Sequence, residues 1–219
     1  MCTKRVILLL LSLVVGQSVF AQQWGTIVSS SGGAKEKPVY LSVYAEGGLS
    51  VSSFHSTDEN LDPGFSATAG LNIGAGINMR FLKRDERSSV KDGLFGLQTG
   101  LLYTTAGFKS GETTVTGHYL CLPLDIQFYP IPGLYVELGP EAFINIGNKP
   151  DKASVGGMIL NLTDHKANDL KFGFGAGYVF NAFPAGVSIK YLLGSSDFAE
   201  NLPWKGNLLQ ISLFYRFGL

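Results

Sequence analysis

The segment from Phe65 to Phe81 alternates without exception between apolar side chains at odd positions and polar or glycine residues at even positions. Alternation with a period of two predicts a β-strand that has one apolar and one polar face. Soluble strands usually run for about 5–6 residues, whereas a transmembrane β-strand needs roughly 9–11 residues to cross the hydrocarbon layer. Length and alternation together predict a strand of a membrane β-barrel.

Similar alternation recurs along the chain, and no segment shows the helical period of an amphipathic helix. The sequence therefore predicts an all-β fold, namely an eight-stranded antiparallel up-and-down transmembrane β-barrel. Eight strands enclose an interior that side chains just fill, so we expect a filled polar lumen rather than a pore. The predicted strands are residues 39–51, 65–82, 94–107, 118–129, 134–147, 170–181, 185–195 and 207–217.

The connections between these strands alternate between long and short. Residues 130–133 and 181–184 are tight turns, and residues 83–93 form a longer connection on the same side. Outer-membrane barrels have short periplasmic turns and longer extracellular loops, so this order predicts that both termini are periplasmic. The long, hydrophilic connections, predicted to be extracellular, are residues 52–64, 108–117, 148–169 and 196–206.

Aromatic residues recur at one end of the apolar face, as expected for a girdle at a membrane interface. A soluble barrel that carries a ligand would invert the pattern, with apolar side chains inside and charges outside. Charges in the predicted strands instead fall almost entirely on the polar face, which favours the membrane barrel. The predicted periplasmic girdle consists of Phe81, Phe95, Phe128, Phe180 and Phe217.

The N-terminal residues have the features of a secretory signal peptide. Lys4 and Arg5 precede an apolar run, and small residues before Ala21 suit a cleavage site after that residue. The apolar run is shorter than the approximately 20 residues of a membrane-spanning helix. We expect residues 1–21 to be a signal peptide, 22–38 a flexible periplasmic leader and 39–219 a barrel in the outer membrane of a Gram-negative bacterium.

Charge and cysteine content limit the possible partners. Of the 17 basic residues, Lys4 and Arg5 would leave with the signal peptide, so about 15 would face 17 acidic residues. This balance offers no basic patch for nucleic acid. Cys121 would be the one cysteine left after processing, so no intramolecular disulfide is expected. The predicted partners are outer-membrane lipid and, through residues 148–169, other envelope proteins.

Charged residues on the inward face are the candidate site. Acids and bases that share a narrow lumen are expected to pair, because a buried unpaired charge is costly. Asp125 and Glu137 are expected to be cross-strand neighbours, an arrangement that could also suggest glycosidase-like chemistry. A structural network is favoured, because no substrate cleft is evident. The predicted network consists of Glu46, Arg80, Asp125, Glu137, Glu141, Lys171, Lys190 and Arg216.

Other residues offer only weak candidates for chemistry. His55, His118 and His165 lie in or beside predicted extracellular loops, but their spacing matches no metal motif. His118 is the candidate for a Ser–His lipid hydrolase at the outer rim. The glycines of residues 74–76 and 173–177 lack the following helix that a phosphate-binding loop requires. The sequence therefore predicts no catalytic residue, no cofactor and no metal.

Two neighbouring segments, residues 119–129 (YLCLPLDIQFY) and 134–140 (LYVELGP), resemble the middle hairpin of the PorT-type outer-membrane β-barrel proteins of Bacteroidetes. Residues 173–178 and 189–194 resemble later strands of the same family. The resemblance extends over roughly 39–217 and implies the barrel type and the lineage. The namesake of the family is implicated in type IX secretion, and the family supplies no catalytic residues to carry over.

Three functions are consistent with the sequence. The leading prediction is a non-enzymatic structural or interaction protein that acts through its extracellular loops, with residues 148–169 as the main contact surface. An accessory role in type IX protein secretion is the second, and it depends on the family resemblance. The third is a lipid-modifying enzyme at the rim of the barrel.

Overall fold

The structure is a computed structural model that describes residues 39–56, 64–81, 94–150, 152–155, 158–161, 169–180, 183–195 and 204–218. Eight long antiparallel strands form a closed barrel, as the sequence predicted. Two further short strands form a separate two-stranded sheet. In chain order the strands are β1 (Val39–Ser56), β2 (Phe65–Phe81), β3 (Phe95–Ser110), β4 (Thr113–Ile131), β5 (Leu134–Lys149), β6 (Lys152–Val155), β7 (Met158–Asn161), β8 (Asp169–Val179), β9 (Ala185–Gly194) and β10 (Trp204–Gly218).

Each barrel strand pairs with its neighbours in sequence, except that β5 pairs with β8 across the β6–β7 hairpin. The ring closes where β1 meets β10, in a continuous register from Ser42 opposite Gly218 to Ser56 opposite Trp204. Closure matters in a bilayer because an open sheet edge would leave backbone groups without hydrogen bonds in hydrocarbon. Both ends of the described chain therefore lie at the same rim of the barrel.

The outer wall is apolar. Leu213, Ile73 and Leu49 expose 66%, 62% and 61% of their surfaces, as expected of side chains that face lipid. The predicted aromatic girdle occupies the rim that carries the chain ends. There Phe95 lies between Phe81 and Phe128 in the strand register, and the rings of Phe95 and Phe128 have centroids 5.4 Å apart.

The inner wall combines large aromatic residues with facing glycines. Tyr44 is 1% exposed and its ring lies against Gly76 and Gly100. A Cβ atom at Gly76 would come within 2.7 Å of the Tyr44 ring, and one at Gly100 within 2.7 Å of the Tyr44 hydroxyl. The glycines in these strands therefore make room for bulky inward groups, as expected for a barrel that side chains just fill.

The connection between β3 and β4 differs from the prediction. Residues 108–117 were expected to form a long hydrophilic loop, but both strands continue and meet at a two-residue turn, Gly111 and Glu112. Gly111 has a positive φ of 59°, which glycine adopts without steric cost. The prediction was wrong because polar residues such as Thr113 and Thr114 are also compatible with a strand that extends beyond the membrane.

The strict alternation of β2 also misassigned one residue. Phe65 was expected to share the outward face of Phe81, but the β2–β3 register shifts between Ala67 and Asn72. Such an irregularity puts the side chains on its two sides out of step, so Phe65, which precedes it, does not share the face of Phe81. As a result the Phe65 ring lies over the lumen, 5.0 Å from the ring centroid of Phe108.

The β6–β7 hairpin was not predicted. It lies within residues 148–169, which were expected to be a hydrophilic loop. Ala153 and Val155 of β6 are 4% and 0% exposed, and both belong to an apolar cluster at the rim opposite the chain ends. Two strands of four residues give too short an alternation to be recognised in sequence.

Several predictions fall on residues outside the described part of the chain. These are the signal peptide (1–21), the leader (22–38) and most of the connections 52–64, 83–93 and 196–206. Among the described residues, no helix has the length and apolar character needed to cross a membrane.

Replacing Ile211 by arginine should strongly destabilise the protein in lipid bilayers. Ile211 lies halfway along β10, faces outward, and is flanked by Leu49 on β1 and Ile189 on β9. A lipid-facing arginine near the midplane costs about 2–4 kcal/mol, and close to an interface only about 0–1 kcal/mol. Urea unfolding of Ile211→Arg should show the loss of free energy of unfolding that is expected at the midplane. The control is Ser53→Arg, which changes an exposed residue near the end of β1, and an equal loss in both variants would contradict the assignment of the lipid-facing wall.

Candidate functional site

Inward-facing charges meet at the centre of the barrel. Asp125 on β4, Glu137 and Glu141 on β5, and Lys190 on β9 all lie on the polar side of their strands. Each is at most 9% exposed. Because alternate residues of a strand point to the same face, the period of the sequence is sufficient to direct all four into the lumen.

Lys190 links three carboxylates. Its Nζ lies 2.6 Å from Asp125 Oδ2, 2.7 Å from Glu141 Oε1 and 3.5 Å from Glu137 Oε1. An ammonium group has three protons to donate, and the two shorter contacts are direct hydrogen bonds. One cation on β9 thus connects β4 and β5 across the lumen.

Glu46 does not join this cluster through a contact. It is half-buried on β1 and makes no hydrogen bond or ion pair with any described residue. Its side chain instead lines a cavity of about 20 Å³ together with Tyr44, Glu137 and Lys190. A water molecule needs roughly 10–15 Å³ of such volume, so the cavity has room for about one.

The cross-strand pairing of Asp125 with Glu137 was wrong. The register places Gln127, and not Asp125, opposite Glu137. The cause is the turn between the strands: β4 continues through Pro130 to Ile131, which pairs with Leu134, and this shifts the pairing from the one expected. The two carboxylates are therefore offset along the strands and are joined through Lys190.

Gln127 is the centre of a hydrogen-bonded layer that lies between the charged centre and the rim that carries the chain ends. It is fully buried, and its Nε2 donates to Glu137 Oε2 at 2.7 Å and to Gln98 Oε1 at 3.1 Å. Its Oε1 accepts hydrogen bonds from Asn78 Nδ2 at 2.8 Å and from the Tyr129 hydroxyl at 2.6 Å. Sequence reasoning missed these uncharged residues, although they stand at inward positions of the same alternation that identified the charged ones.

The two predicted arginines lie beyond this layer, towards the rim that carries the chain ends. Arg216 donates to the Tyr129 hydroxyl at 3.0 Å and to Gln98 Oε1 at 3.4 Å, while the Arg80 guanidinium lies 3.9 Å from the centroid of the Tyr129 ring. No ion pair between either arginine and the central acids is found among the described residues. The expectation that the four bases pair with the four acids was therefore wrong for these arginines, which contact aromatic and amide groups.

Lys171 lies on the other side of the centre. Its Nζ is 2.5 Å from Asp169 Oδ2 and 2.6 Å from the backbone oxygen of Gly206. Although Lys171 is directly opposite Glu141 in the strand register, the carboxylate of Glu141 contacts Lys190 instead. Asp169 was not among the predicted site residues, because the sequence placed it at the end of a loop.

Neighbouring polar side chains contact three of the four acids at the centre of the barrel. These acids contact Lys190 and Gln127, and the adjoining cavity has room for about one water molecule. No group of three or more His, Cys, Asp and Glu side chains in the described residues is arranged to hold a metal ion. On the outer wall His118 Nδ1 forms a 2.5 Å hydrogen bond with the Tyr103 hydroxyl, and no serine partner is found within the part of the chain that the structure describes.

Residues 7–217 match the sequence model of a protein family described as outer membrane protein beta-barrel domain. The match extends over nearly the whole chain, including all eight barrel strands. The chain belongs to this family. Membership of the outer membrane protein beta-barrel family confirms the predicted type of barrel and implies a location in the outer membrane of Gram-negative bacteria.

No curated protein matches the sequence. Among solved structures, Neisserial surface protein A is 13% identical with a TM-score of 0.49, over 80% of this chain and 97% of that chain. The Ail protein of Yersinia pestis is 16% identical with a TM-score of 0.47, over 83% of this chain and 100% of that chain. OprG from Pseudomonas aeruginosa is 13% identical with a TM-score of 0.36, over 81% and 96% of the two chains. At these scores none of the three informs the function of this chain.

Replacing Lys190 by alanine should lower the free energy of unfolding at neutral pH. The change leaves Asp125, Glu137 and Glu141 buried and without their common cation. Removing one member of a buried ion pair costs about 3–5 kcal/mol, and any water that enters would reduce this value. Urea unfolding of the refolded barrel, followed by gel mobility with and without heating, measures the loss.

The matched control is Lys109→Ala, which removes an exposed lysine near the end of β3. A double-mutant cycle with Lys190→Met and Asp125→Asn isolates the contact between those two residues, and groups in direct contact couple by about 0.5–3 kcal/mol. Equal stability of Lys190→Ala, Lys109→Ala and wild-type protein would show that Lys190 does not stabilise the lumen.

Proposed function

We propose that this protein is a non-enzymatic outer-membrane barrel with a structural or interaction role, which it performs at its outer rim and not through its lumen. The filled interior is the observation that carries the proposal. Gln127, Glu137 and Lys190 occupy the middle of the lumen, and the adjoining cavity is about 20 Å³. The described part of this interior supports neither a pathway for solutes nor a cleft for a substrate.

The proposed contact surface is the rim opposite the chain ends. There β3 and β4 extend to the Gly111–Glu112 turn, and residues 148–169 include the β6–β7 hairpin. This rim faces the outside if both termini are periplasmic, as we propose from the rule that the longer connections of outer-membrane barrels are extracellular. A rigid scaffold that presents variable connections is the usual arrangement of binding proteins.

The proposed partners are outer-membrane lipid along the apolar wall and other envelope proteins at the connection 148–169. The near balance of acidic and basic residues gives no support for nucleic acid as a partner. Export of the chain by way of a signal peptide at residues 1–21, followed by a leader at 22–38, is part of the same proposal.

A second proposal is an accessory role in type IX secretion, within the PorT-type barrels of Bacteroidetes. It is supported by the similarity of residues 119–129 and 134–140 to the middle hairpin of that family. Deleting the gene and measuring secreted cargo distinguishes the two roles. Retained cargo would favour the secretion role, and normal secretion would remove it.

The third function, a lipid-modifying enzyme at the rim, receives less support. His118 is its best candidate, and the contact that the structure gives its ring nitrogen is the Tyr103 hydroxyl. Lipid-modifying activity that persists in His118→Ala would exclude this histidine from the chemistry.

The interaction role has a direct test. Cross-linking in intact cells, followed by purification and mass spectrometry, should recover an envelope protein joined to residues 148–169. Replacing those residues by a short glycine–serine linker should abolish the cross-link, whereas the exposed change Lys109→Ala at another part of the rim should preserve it. Recovery of the same partner without residues 148–169 would refute the proposed surface.

The filled lumen also predicts the electrical behaviour of the protein. Purified protein in planar bilayers should show no stable, large conductance, because the side chains around Gln127 and Lys190 block the lumen. Reproducible porin-like steps would contradict a role that excludes transport.

A further inference from the structure

Acidic and basic residues are distributed unequally between the two faces of the barrel wall. Among the residues that the structure describes, the Asp, Glu, Lys and Arg side chains on the outer face of the barrel strands are Lys109 on β3, Lys149 on β5 and Lys205 on β10. Glu112, in the turn between β3 and β4, is the one described acid outside the lumen. The described acids on the inner face are Glu46, Asp125, Glu137, Glu141 and Asp169. The outer face therefore carries positive charge, and it does so at the rim opposite the chain ends.

Two of these lysines lie on either side of β4. Val115 of β4 is buried in the apolar cluster at the rim, so its neighbours Thr114 and Thr116 face outward. Thr114 is opposite Lys109, and Thr116 is opposite Lys149. Residues opposite each other in an antiparallel pair share a face, so both lysines face outward, and both are exposed. Neighbouring strands are about 4.8 Å apart, so two ammonium groups lie close to a pair of threonine hydroxyl groups.

The position of Lys205 shows the level of these lysines relative to the bilayer. By alternation Lys205 shares the outward face of Phe217 in the girdle at the other rim, and it is opposite the exposed His55. A transmembrane strand takes about 9–11 residues to cross the hydrocarbon layer, and Lys205 precedes Phe217 by slightly more than that. Lys205 therefore lies just beyond the apolar wall, at the level of lipid headgroups. The ends of β3 and β5 carry Lys109 and Lys149 beyond the wall at the same rim.

We propose that Lys109, Lys149 and Lys205, here called the basic collar, bind the phosphate groups of a glycolipid in the outer leaflet of the outer membrane. Lysine ammonium groups donate hydrogen bonds to phosphate oxygens, and their flexible stems can lie along an apolar surface while the charge stays at the headgroups. Thr114 and Thr116 add hydroxyl groups that suit phosphate or sugar oxygens. Charge complementarity carries the inference, because no ion pair of the three lysines is found within the described part of the chain.

The basic collar deepens the proposed contact with outer-membrane lipid, and it rests on the proposed orientation, in which this rim faces the outside. The apolar wall contacts acyl chains of any lipid, whereas the collar selects lipids by the charge of their headgroups. Basic residues near an anionic lipid surface are attracted to it, and the attraction falls off within a Debye length. The position of the lysines just beyond the wall is therefore the position at which they can act on headgroup phosphates.

The test measures the affinity of the purified protein in detergent for lipid A, a phosphorylated glycolipid. A ligand that binds the folded state raises the unfolding temperature, which gel mobility after heating records. The collar variant combines Lys109→Gln, Lys149→Gln and Lys205→Gln. Each basic residue near an anionic lipid surface contributes about fivefold to the affinity, so this variant should bind lipid A about a hundredfold more weakly than the wild type. Added salt should weaken binding by the wild type.

The matched control removes the same charge from the connection between β2 and β3, at the rim that carries the chain ends. It combines Lys83→Gln, Arg84→Gln and Lys91→Gln, and it should bind lipid A as the wild type does. Without lipid A, the collar variant should unfold together with the wild type, because its lysines have no ion pair among the described residues to lose. If the collar variant does not fold, the single variant Lys205→Gln provides the test, with an expected loss of about fivefold in affinity.

The other ligands in the test are dephosphorylated lipid A, phosphatidylglycerol and inorganic phosphate. Stabilisation of the wild type and the control by intact lipid A, with weaker stabilisation of the collar variant, would support the proposal. Equal affinity of the collar variant and the control would refute it, as would equal stabilisation of the wild type by any of the three other ligands. If lipid A does not stabilise the wild type, the collar has another partner, such as an acidic protein, and the proposal is wrong. Since no envelope protein is present, these results leave the cross-linking test of residues 148–169 unaffected.

Discussion

The pairing of β1 with β10 is the interaction on which the rest of the structure depends. It joins the first and last strands from Ser42 and Gly218 to Ser56 and Trp204, and without it two strand edges would face hydrocarbon with unsatisfied backbone groups. Closure with eight strands also fixes the width of the interior, which side chains just fill. Every inward residue is therefore selected for volume as well as for polarity.

That narrow interior explains why aromatic residues and ion pairs occur together inside it. Tyr44 fits only because Gly76 and Gly100 lack side chains where its ring passes. Polar groups inside the barrel need hydrogen-bond partners, because a buried polar group without a hydrogen bond is costly in free energy. Lys190 and Gln127 meet that constraint by each contacting several partners on other strands, so the filled lumen also links strands that do not pair with one another.

The sequence predicted the elements that follow from the two-residue alternation of apolar and polar side chains. Its predictions were wrong where the backbone departs from regular strand geometry. Alternation identified all eight barrel strands and directed Lys190 and Glu141 inward. It could not show the register shift that turns the Phe65 ring towards Phe108, because an irregularity leaves the order of apolar and polar residues unchanged. The alternation also does not predict which charged residues form ion pairs. Lys171 contacts Asp169 although Glu141 is opposite it in the register. Side-chain packing decides between these two partners.

Side chains pack together at two levels of the barrel, and the two levels are attached to the strands in different ways. The charged centre consists of side chains from β4, β5 and β9, and these strands cannot separate without breaking the backbone pairing that the bilayer requires. The apolar cluster at the rim opposite the chain ends includes Ala153 and Val155, which lie on a hairpin outside the ring. Movement of that hairpin breaks apolar contacts but leaves the barrel hydrogen bonds intact. The filling of the lumen therefore depends on the charged centre and not on the apolar contacts at the rim.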